Sequence, residues 1–310
     1  IWTGEKLEAS MPIPIGSATK PWTAVRVLQA VERERLKLED AAELWVDPAL
    51  KRLYNLTMAD LYGEVNASKI RILDLLGMTS GLEEYDDAWI QKWSIDHDTE
   101  DVGPAEYLQS AARSPAVCAP RNCTYYAGTN YILLGFVLVQ LDGVYSWQEM
   151  DQMAAIPDTM RARYEHTTFP KAGRCLEYPG ISHSYVELGD GNASIFDDLW
   201  YNSCLNGWTM GNIASTAEDM ANFFVDLVEG PQRSGGLVSS LSLQHMMEFH
   251  GPVVNFWCVG PRGPGSCKYG LGLERDSDLM DWFGWYLTNE SESEFARLIG
   301  HNGQDWGSGA

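Results

Sequence analysis

In the stretch "PIGSATKPWTA", Pro14 to Ala24, a serine and a lysine stand three residues apart, Ser17 and Lys20. A serine hydroxyl is a weak nucleophile near neutral pH. It attacks an acyl carbon only when a neighbouring base takes its proton and hydrogen-bond donors stabilise the oxyanion. A lysine whose pKa is lowered by burial or by nearby positive charge is such a base, and a tyrosinate serves by the same logic. At one helical turn's spacing the two side chains point the same way. The chemistry implied is acylation of Ser17, then transfer to water or another nucleophile. The same tetrapeptide also opens ordinary helices, and the chain holds 14 tyrosines, so the choice rests on what surrounds it.

From Ser17 onward, Trp22, Val25, Val27, Leu28, Val31 and Leu36 cover much of a helix surface, which predicts a centrally buried helix. Pro21 fits only in its first turn, so the helix starts near Gly16 and Ser17. There the Ser17 N–H is a free donor at a positively polarised end. "KIRILDLLGMTSGL" (69–82) predicts a helix ended by a Thr-Ser-Gly turn, and "NYILLGFVLVQL" (130–141) another buried helix. "STAEDMANFFVDLVEG" (215–230) predicts a helix with Ser215 as cap, Glu218 completing a capping box and Gly230 as the stop. "YGLGLE" (269–274), "MDWFGWYL" (280–287) and "EFARLIGHNG" (294–303) read as strands. The middle is thus mostly helix and loop and the end mostly strand, with no internal repeat and no Pro/Ser-rich linker.

The 310 residues suit one large domain or two closely joined ones, and 45% hydrophobic with 21% charged residues is a globular balance. A net charge of −21 argues against nucleic acid and anionic membrane as partners; it also serves solubility. The longest apolar run, Tyr131 to Leu141, is short of the roughly 20 residues of a membrane span. The six cysteines pair most simply with near neighbours: Cys118 with Cys123, Cys175 with Cys204, and Cys258 with Cys267. No Cys/His cluster has zinc spacing, the six histidines are scattered, and His245 and His250 read as surface or packing residues, so neither a metal nor another cofactor is expected. Asn-x-Ser/Thr sequons at Asn55, Asn66, Asn122, Asn192 and Asn289 point to a glycosylated, secreted eukaryotic protein, in which disulfides are the natural state. The absence of an initiator Met reads as a mature or trimmed product.

An ordered series of segments resembles the serine β-lactamase and penicillin-binding protein superfamily, in its class C-like branch of esterases, transesterases and D-amino-acid peptidases. "IGSATKPWTA" looks like the branch's Ser-x-x-Lys helix start, and "LKLEDAAELWVDPAL" like the segment after it. "LLGMTSGL" is similar to Leu-Leu-x-His-Thr-Ser-Gly-Leu with Met78 for His, and "YYAGTNYILLG" to Tyr-Ser-Asn-x-x-Tyr-x-x-Leu-Gly. "GNIASTAEDMANFF", "YGLGLE" and "GHNGQDWGSG" resemble the later helix and the final strand pair with its Lys/His-x-Gly signature. The resemblance implies an α+β fold, an antiparallel sheet flanked by helices beside a mostly helical subdomain. Residues 1–50 and 270–310 would form the first part and 51–269 the second. It implies Ser17 as nucleophile, Lys20 as the group that lowers its pKa, Tyr126 as general base, and His301 lining the pocket and polarising Tyr126. The backbone N–H groups of Ser17 and Gln304 would form the oxyanion hole, with Gly128, Asn130, Asn302 and Gly303 around the substrate.

Three departures bear on function. The Tyr-x-Asn motif reads Tyr126-Ala127-Gly128, so the amide that holds an acyl-amide substrate is missing unless Asn130 replaces it. His301 stands where true β-lactamases commonly carry lysine. Only sixteen residues precede Ser17, and two further strands are expected after the last signature. A longer protein, or a second polypeptide segment completing the sheet, would satisfy the open edge. The expected function is a secreted serine hydrolase, esterase or peptidase rather than β-lactamase, acting on a small ester or peptide. The alternative is a catalytically silent glycoprotein with a structural or interaction role.

Overall fold

The structure is a computed structural model that describes residues 6–187, 196–232, 236–254, 259–260, 263–264, 267–276, 298–305 and 308–309. Its helices in chain order are α1 (Lys20–Glu32), α2 (Glu43–Tyr54), α3 (Met58–Tyr62), α4 (Glu64–Ala67), α5 (Ile72–Leu76), α6 (Asp87–Asp96), α7 (Pro104–Ala111), α8 (Thr129–Asp142), α9 (Ala217–Val228) and α10 (Ser240–Met246). The strands are short and pair antiparallel. β1 (Ile13–Pro14) pairs with β4 (Ala214–Ser215), and β2 (Tyr185–Glu187) with β3 (Phe196–Asp198). β5 (Val259–Gly260) pairs with β6 (Gly263–Pro264). β7 (Lys268–Tyr269), β8 (Glu274–Asp276) and β9 (Leu298–Gly300) form one sheet, and β10 (Gln304–Asp305) pairs with β11 (Ser308–Gly309). The fold is α+β.

α8 is apolar on every side, as a helix enclosed by others must be. α1, α2, α5 and α7 pack around it. α1 is nearly as enclosed; its Trp22 stacks on Phe223 of α9 at 4.3 Å. Ser17 lies not in α1 but in a 3-10 turn, Gly16–Thr19, that runs straight into it. Gly16, at φ +49, makes the sharp entry from β1. In a turn of three residues per revolution, positions three apart eclipse, which sets Ser17 over Lys20.

Several boundaries differ from the sequence reading. The helix expected over 69–82 is only α5, because the chain turns at Gly77 and Met78 takes φ +57. α9 is capped by Thr216, whose side chain accepts from the Asp219 N–H; Ser215 is buried in β4 against Thr167 instead. α9 also stops at Val228, ahead of Gly230. "YGLGLE" is a hairpin, not one strand: Tyr269 pairs with Glu274 across a turn in which Gly272 takes φ +78. A side chain at Gly272 would meet Ala24 of α1 at 2.5 Å. The stretch 280–287 lies outside the described residues, as do Cys258, Asn192 and Asn289.

The disulfides Cys118–Cys123 and Cys175–Cys204 are present as expected. Asn55 and Asn122 are exposed, whereas Asn66 is half-buried with its amide donating to the Tyr62 carbonyl. Among the described residues no helix is long and apolar enough to cross a membrane.

Candidate active site

Ser17 is partly exposed, while Lys20 behind it is fully buried. Lys20 Nζ donates to Ser17 Oγ at 2.7 Å and to the Met210 carbonyl at 3.1 Å. Burial lowers the Lys20 pKa from 10.5 to about 8, against the opposing pull of the Glu84 and Glu274 carboxylates. The Tyr126 phenol is hydrogen-bonded to the same serine hydroxyl. Its ring lies under the lysine, 4.9 Å from Nζ. Burial, and next the charge of Glu274, push the phenol well above its ordinary value of 10. The arrangement is thus a serine hydroxyl shared by a lysine that loses its proton easily and a tyrosine that keeps its own.

His301 is brought to the same cluster from the end of β9, but it bonds elsewhere. Its Nδ1 faces the Asn302 carbonyl at 2.5 Å and its Nε2 faces the Tyr269 hydroxyl at 3.1 Å. A carbonyl can only accept, so Nδ1 carries the proton and Nε2 accepts from Tyr269. Burial, with Lys20 nearby, holds the His301 pKa down to about 3. The ring is therefore neutral and sits 6.1 Å, centroid to centroid, from Tyr126. It orders Tyr269, which packs edge-on to Tyr126 at 5.8 Å. Asn302 is exposed, and its N–H approaches Glu274 at 3.5 Å.

Gly303 explains how the last signature reaches the nucleophile. A Cβ there would lie 1.8 Å from the Ile15 carbonyl oxygen and 2.8 Å from the Ala18 nitrogen. Only a glycine lets the backbone press this closely on the Ser17 turn, and that approach carries Gln304, the first residue of β10, alongside it. The Ser17 N–H lies in the first turn of the 3-10 segment, where backbone donors lack partners within the helix.

Gly128, the position of the motif's missing asparagine, caps α8. A Cβ there would meet Met210 Sδ at 2.6 Å, Tyr85 Cε1 at 3.2 Å and Glu84 Oε1 at 3.3 Å. The space is thus already filled, on one side by a carboxylate. Glu84 Oε2 accepts from the Gly128 N–H at 2.7 Å and Oε1 from the Tyr85 N–H at 3.0 Å. The Thr129 N–H also donates to this carboxylate. Burial raises the Glu84 pKa from 4.5 to about 7, although these donors and Lys20 pull it down.

Asn130 does not compensate for the missing amide. Its Oδ1 accepts from Ser80 Oγ at 2.6 Å, and its Nδ2 donates to the Ala127 carbonyl at 3.0 Å and to Met78 Sδ at 3.3 Å. The two-residue offset turns it beneath the site, where its polar atoms are all engaged. Met78 takes part in that network as a weak sulfur acceptor. Sequence reasoning passed over Glu84, Tyr269, Glu274 and Met210. Glu84 follows "TSGL" by two residues and Glu274 ends "YGLGLE", but neither position carries a local pattern that marks it.

The family model described as Beta-lactamase matches residues 2–310. Comparison with curated proteins returns no match. Among solved structures, a D-stereospecific amidohydrolase from Streptomyces sp. superposes with a TM-score of 0.69 at 21% identity, covering 96% of this chain and 77% of that one. A penicillin-binding protein from Bacillus halodurans gives 0.66 at 20%, covering 97% and 76%. The D-amino acid amidase of Ochrobactrum anthropi SV3, complexed with D-phenylalanine, gives 0.64 at 17%, covering 96% and 72%. At such identities the likeness is one of fold, and the family match supplies the rest: the chain belongs to the beta-lactamase family, within the serine β-lactamase and penicillin-binding protein superfamily.

Proposed function

We propose that this protein is a serine hydrolase that forms an acyl-Ser17 intermediate on small esters or peptide-like amides. The observation that carries the reading is the 2.7 Å contact between a partly exposed Ser17 and a fully buried Lys20. The acidities favour Lys20 as the general base in place of Tyr126, the base that the resemblance implies. Lys20, at about 8, is neutral in part of the population near neutral pH, whereas Tyr126 holds its proton. Neutral Lys20 takes the Ser17 proton as Oγ attacks the acyl carbon, and the oxyanion settles on the Ser17 and Gln304 N–H groups. The resulting ammonium returns a proton, through the Tyr126 hydroxyl, to the departing alkoxide or amine as its bond to the acyl carbon breaks. Water then attacks the ester carbon as Lys20 accepts its proton, and Lys20 passes that proton to Ser17 Oγ as the acyl bond breaks, which frees the acid and restores neutral Lys20.

The test is covalent labelling with an uncharged fluorophosphonate. The wild-type chain is expected to be labelled at Ser17 and the Ser17→Ala variant to remain unlabelled. Equal labelling of both, or none of either, would favour the catalytically silent alternative. We further propose that the protein follows the secretory route, on the disulfides Cys118–Cys123 and Cys175–Cys204 and the exposed sequons Asn55 and Asn122. Material made in a eukaryotic secretory host should lose mass on treatment with peptide N-glycosidase, and an unchanged mass would refute glycosylation.

A further inference from the structure

Resting on the hydrolase reading above, the geometry points to Glu84 as a specificity residue that receives a protonated amine on the acyl part of the substrate. The carboxylate stands where the motif's asparagine side chain would begin, 3.3 Å from the Cβ position of Gly128. The asparagine and the carboxylate cannot share that space. Where the motif has a neutral amide that both donates and accepts, this chain thus sets the Glu84 carboxyl group, which a neighbouring ammonium would hold in its anionic, accepting form.

The anchoring of Glu84 supports a fixed receptor. Its side chain is held by the N–H groups of Tyr85, Gly128 and Thr129, the last two at the N-terminus of the rigid, buried α8. A carboxylate offers about four acceptor positions, so one stays open. Glu84 is half-buried and not sealed in the core. It shares Met210 with Lys20, since Met210 Sδ lies 3.9 Å from Lys20 Nζ and against the Gly128 Cβ position. A cationic substrate group at Glu84 is thus held on the acylation side of the site.

The charge balance links binding to chemistry. The groups acting on Lys20 are Glu84 and Glu274, which favour its charged form, and the neutral His301 and protonated Tyr126. An ammonium docked on Glu84 cancels one of the two attractions that keep Lys20 protonated. Lys20 then yields its proton more readily, and the right substrate completes its own base. A substrate of the same shape without the positive charge binds without this gain.

The experiment compares alanine p-nitrophenyl ester, in both enantiomers and with a free amine, against the N-acetylated esters. Both sets are run on the wild-type chain and on Glu84→Gln, with fluorophosphonate labelling of each. For the wild type, kcat/KM for one free-amine enantiomer should exceed that of its N-acetyl form by roughly 10- to 100-fold, the range of one charged hydrogen bond. Glu84→Gln keeps an acceptor for the α8 N-terminus. It should erase that ratio, mainly by raising KM of the free amine, while the N-acetyl ester and the labelling, with one attraction on Lys20 removed, hold or rise and do not fall below wild type. A wild-type ratio near one, with Ser17 labelled, overturns the role of Glu84 and leaves the hydrolase reading standing. So does a ratio that survives in a folded, labelled Glu84→Gln. No labelling of wild-type Ser17 overturns both. If the variant does not fold, the wild-type ratio alone decides.

Discussion

The acidity of Lys20 makes the pH dependence of Ser17 acylation the sharpest consequence of the site. If Lys20 is the base, the acylation rate follows its neutral fraction. With a pKa of about 8, that fraction is about 10% at pH 7 and about 90% at pH 9. The second-order rate of labelling by an uncharged fluorophosphonate should therefore rise about ninefold between these values and level off above. A phosphonyl fluoride does not ionise in this range, so the curve reports the enzyme. Two facing groups leave it unmasked: His301 is already neutral and Tyr126 keeps its proton. Glu84, at about 7, ionises over the lower half of the rise, and Glu84→Gln takes that titration out of the curve.

Glu84 also fixes a second sign. Its charge raises the Lys20 pKa, so Glu84→Gln should shift the midpoint to lower pH. Lys20→Arg cannot deprotonate and should lose about 100-fold or more at every pH. A flat profile from pH 6 to 10, or a midpoint near 10.5, would refute Lys20 as the proton acceptor. The fold should be monitored by circular dichroism at each pH.

Further tests concern the frame of the site. Gly128→Ala forces a Cβ to 2.6 Å from Met210 Sδ and should cost about 1–3 kcal/mol in urea unfolding; shortening the neighbour with Met210→Ala should recover part of it, and additive losses would show that the two do not clash. Asn130→Leu takes from the buried Ser80 hydroxyl the acceptor of its proton, while the Ala127 carbonyl keeps the backbone N–H of residue 130, and should cost about 1–3 kcal/mol, a reading refuted by a change under about 0.5 kcal/mol. His301, lowered from 6.5 to about 3, refuses in the fold a proton that the unfolded chain accepts. Its contribution is therefore intact above about pH 6.5 and is lost as pH falls toward 3. Glu84, raised from 4.5 to about 7, works in the opposite direction between those values. The difference between wild type and His301→Gln isolates the histidine: it should shrink as pH drops from 7 to 4, and a constant difference would contradict its buried neutral state.

How much of this was legible in the sequence depended on whether the signal was local. α8 announced itself by an apolar run that no exposed element could carry, and the Cys118–Cys123 and Cys175–Cys204 pairs by proximity. Ser17 and Lys20 were visible because one turn of helix fixes their relation. Elsewhere a tertiary contact overrode the local pattern. Ser215 is a good cap by type, yet its hydroxyl goes to Thr167 and the next residue takes the role. "YGLGLE" alternates like a strand, but Gly272 folds it back against α1. Glu84 was illegible for the same reason. An acidic residue after a turn is ordinarily a solvated one, and only the folded chain shows that the gap at Gly128 is shaped around it.

The same electrostatics bear on what the site rejects. β-Lactam substrates carry a carboxylate, and a β-lactamase needs a cation to hold it. Here the residue at the signature position is a neutral imidazole, and the charged groups acting on Lys20 are two carboxylates, Glu84 and Glu274. A substrate anion placed about 6 Å from the Glu274 carboxylate would be repelled by about 3 kcal/mol at an effective dielectric of about 20, roughly 100-fold in affinity, whereas Glu84, at about 7, escapes such repulsion by taking a proton. Lys20 cannot offset this in the step that matters, because it must be neutral to act as base. A positively charged or uncharged acyl donor meets no such barrier, and the net charge of −21 steers a cation toward the molecule rather than away. On the proposed hydrolase reading, an amine-bearing or uncharged ester or amide therefore suits the charges of this site better than an anionic β-lactam ring, and the paired esters above are the test.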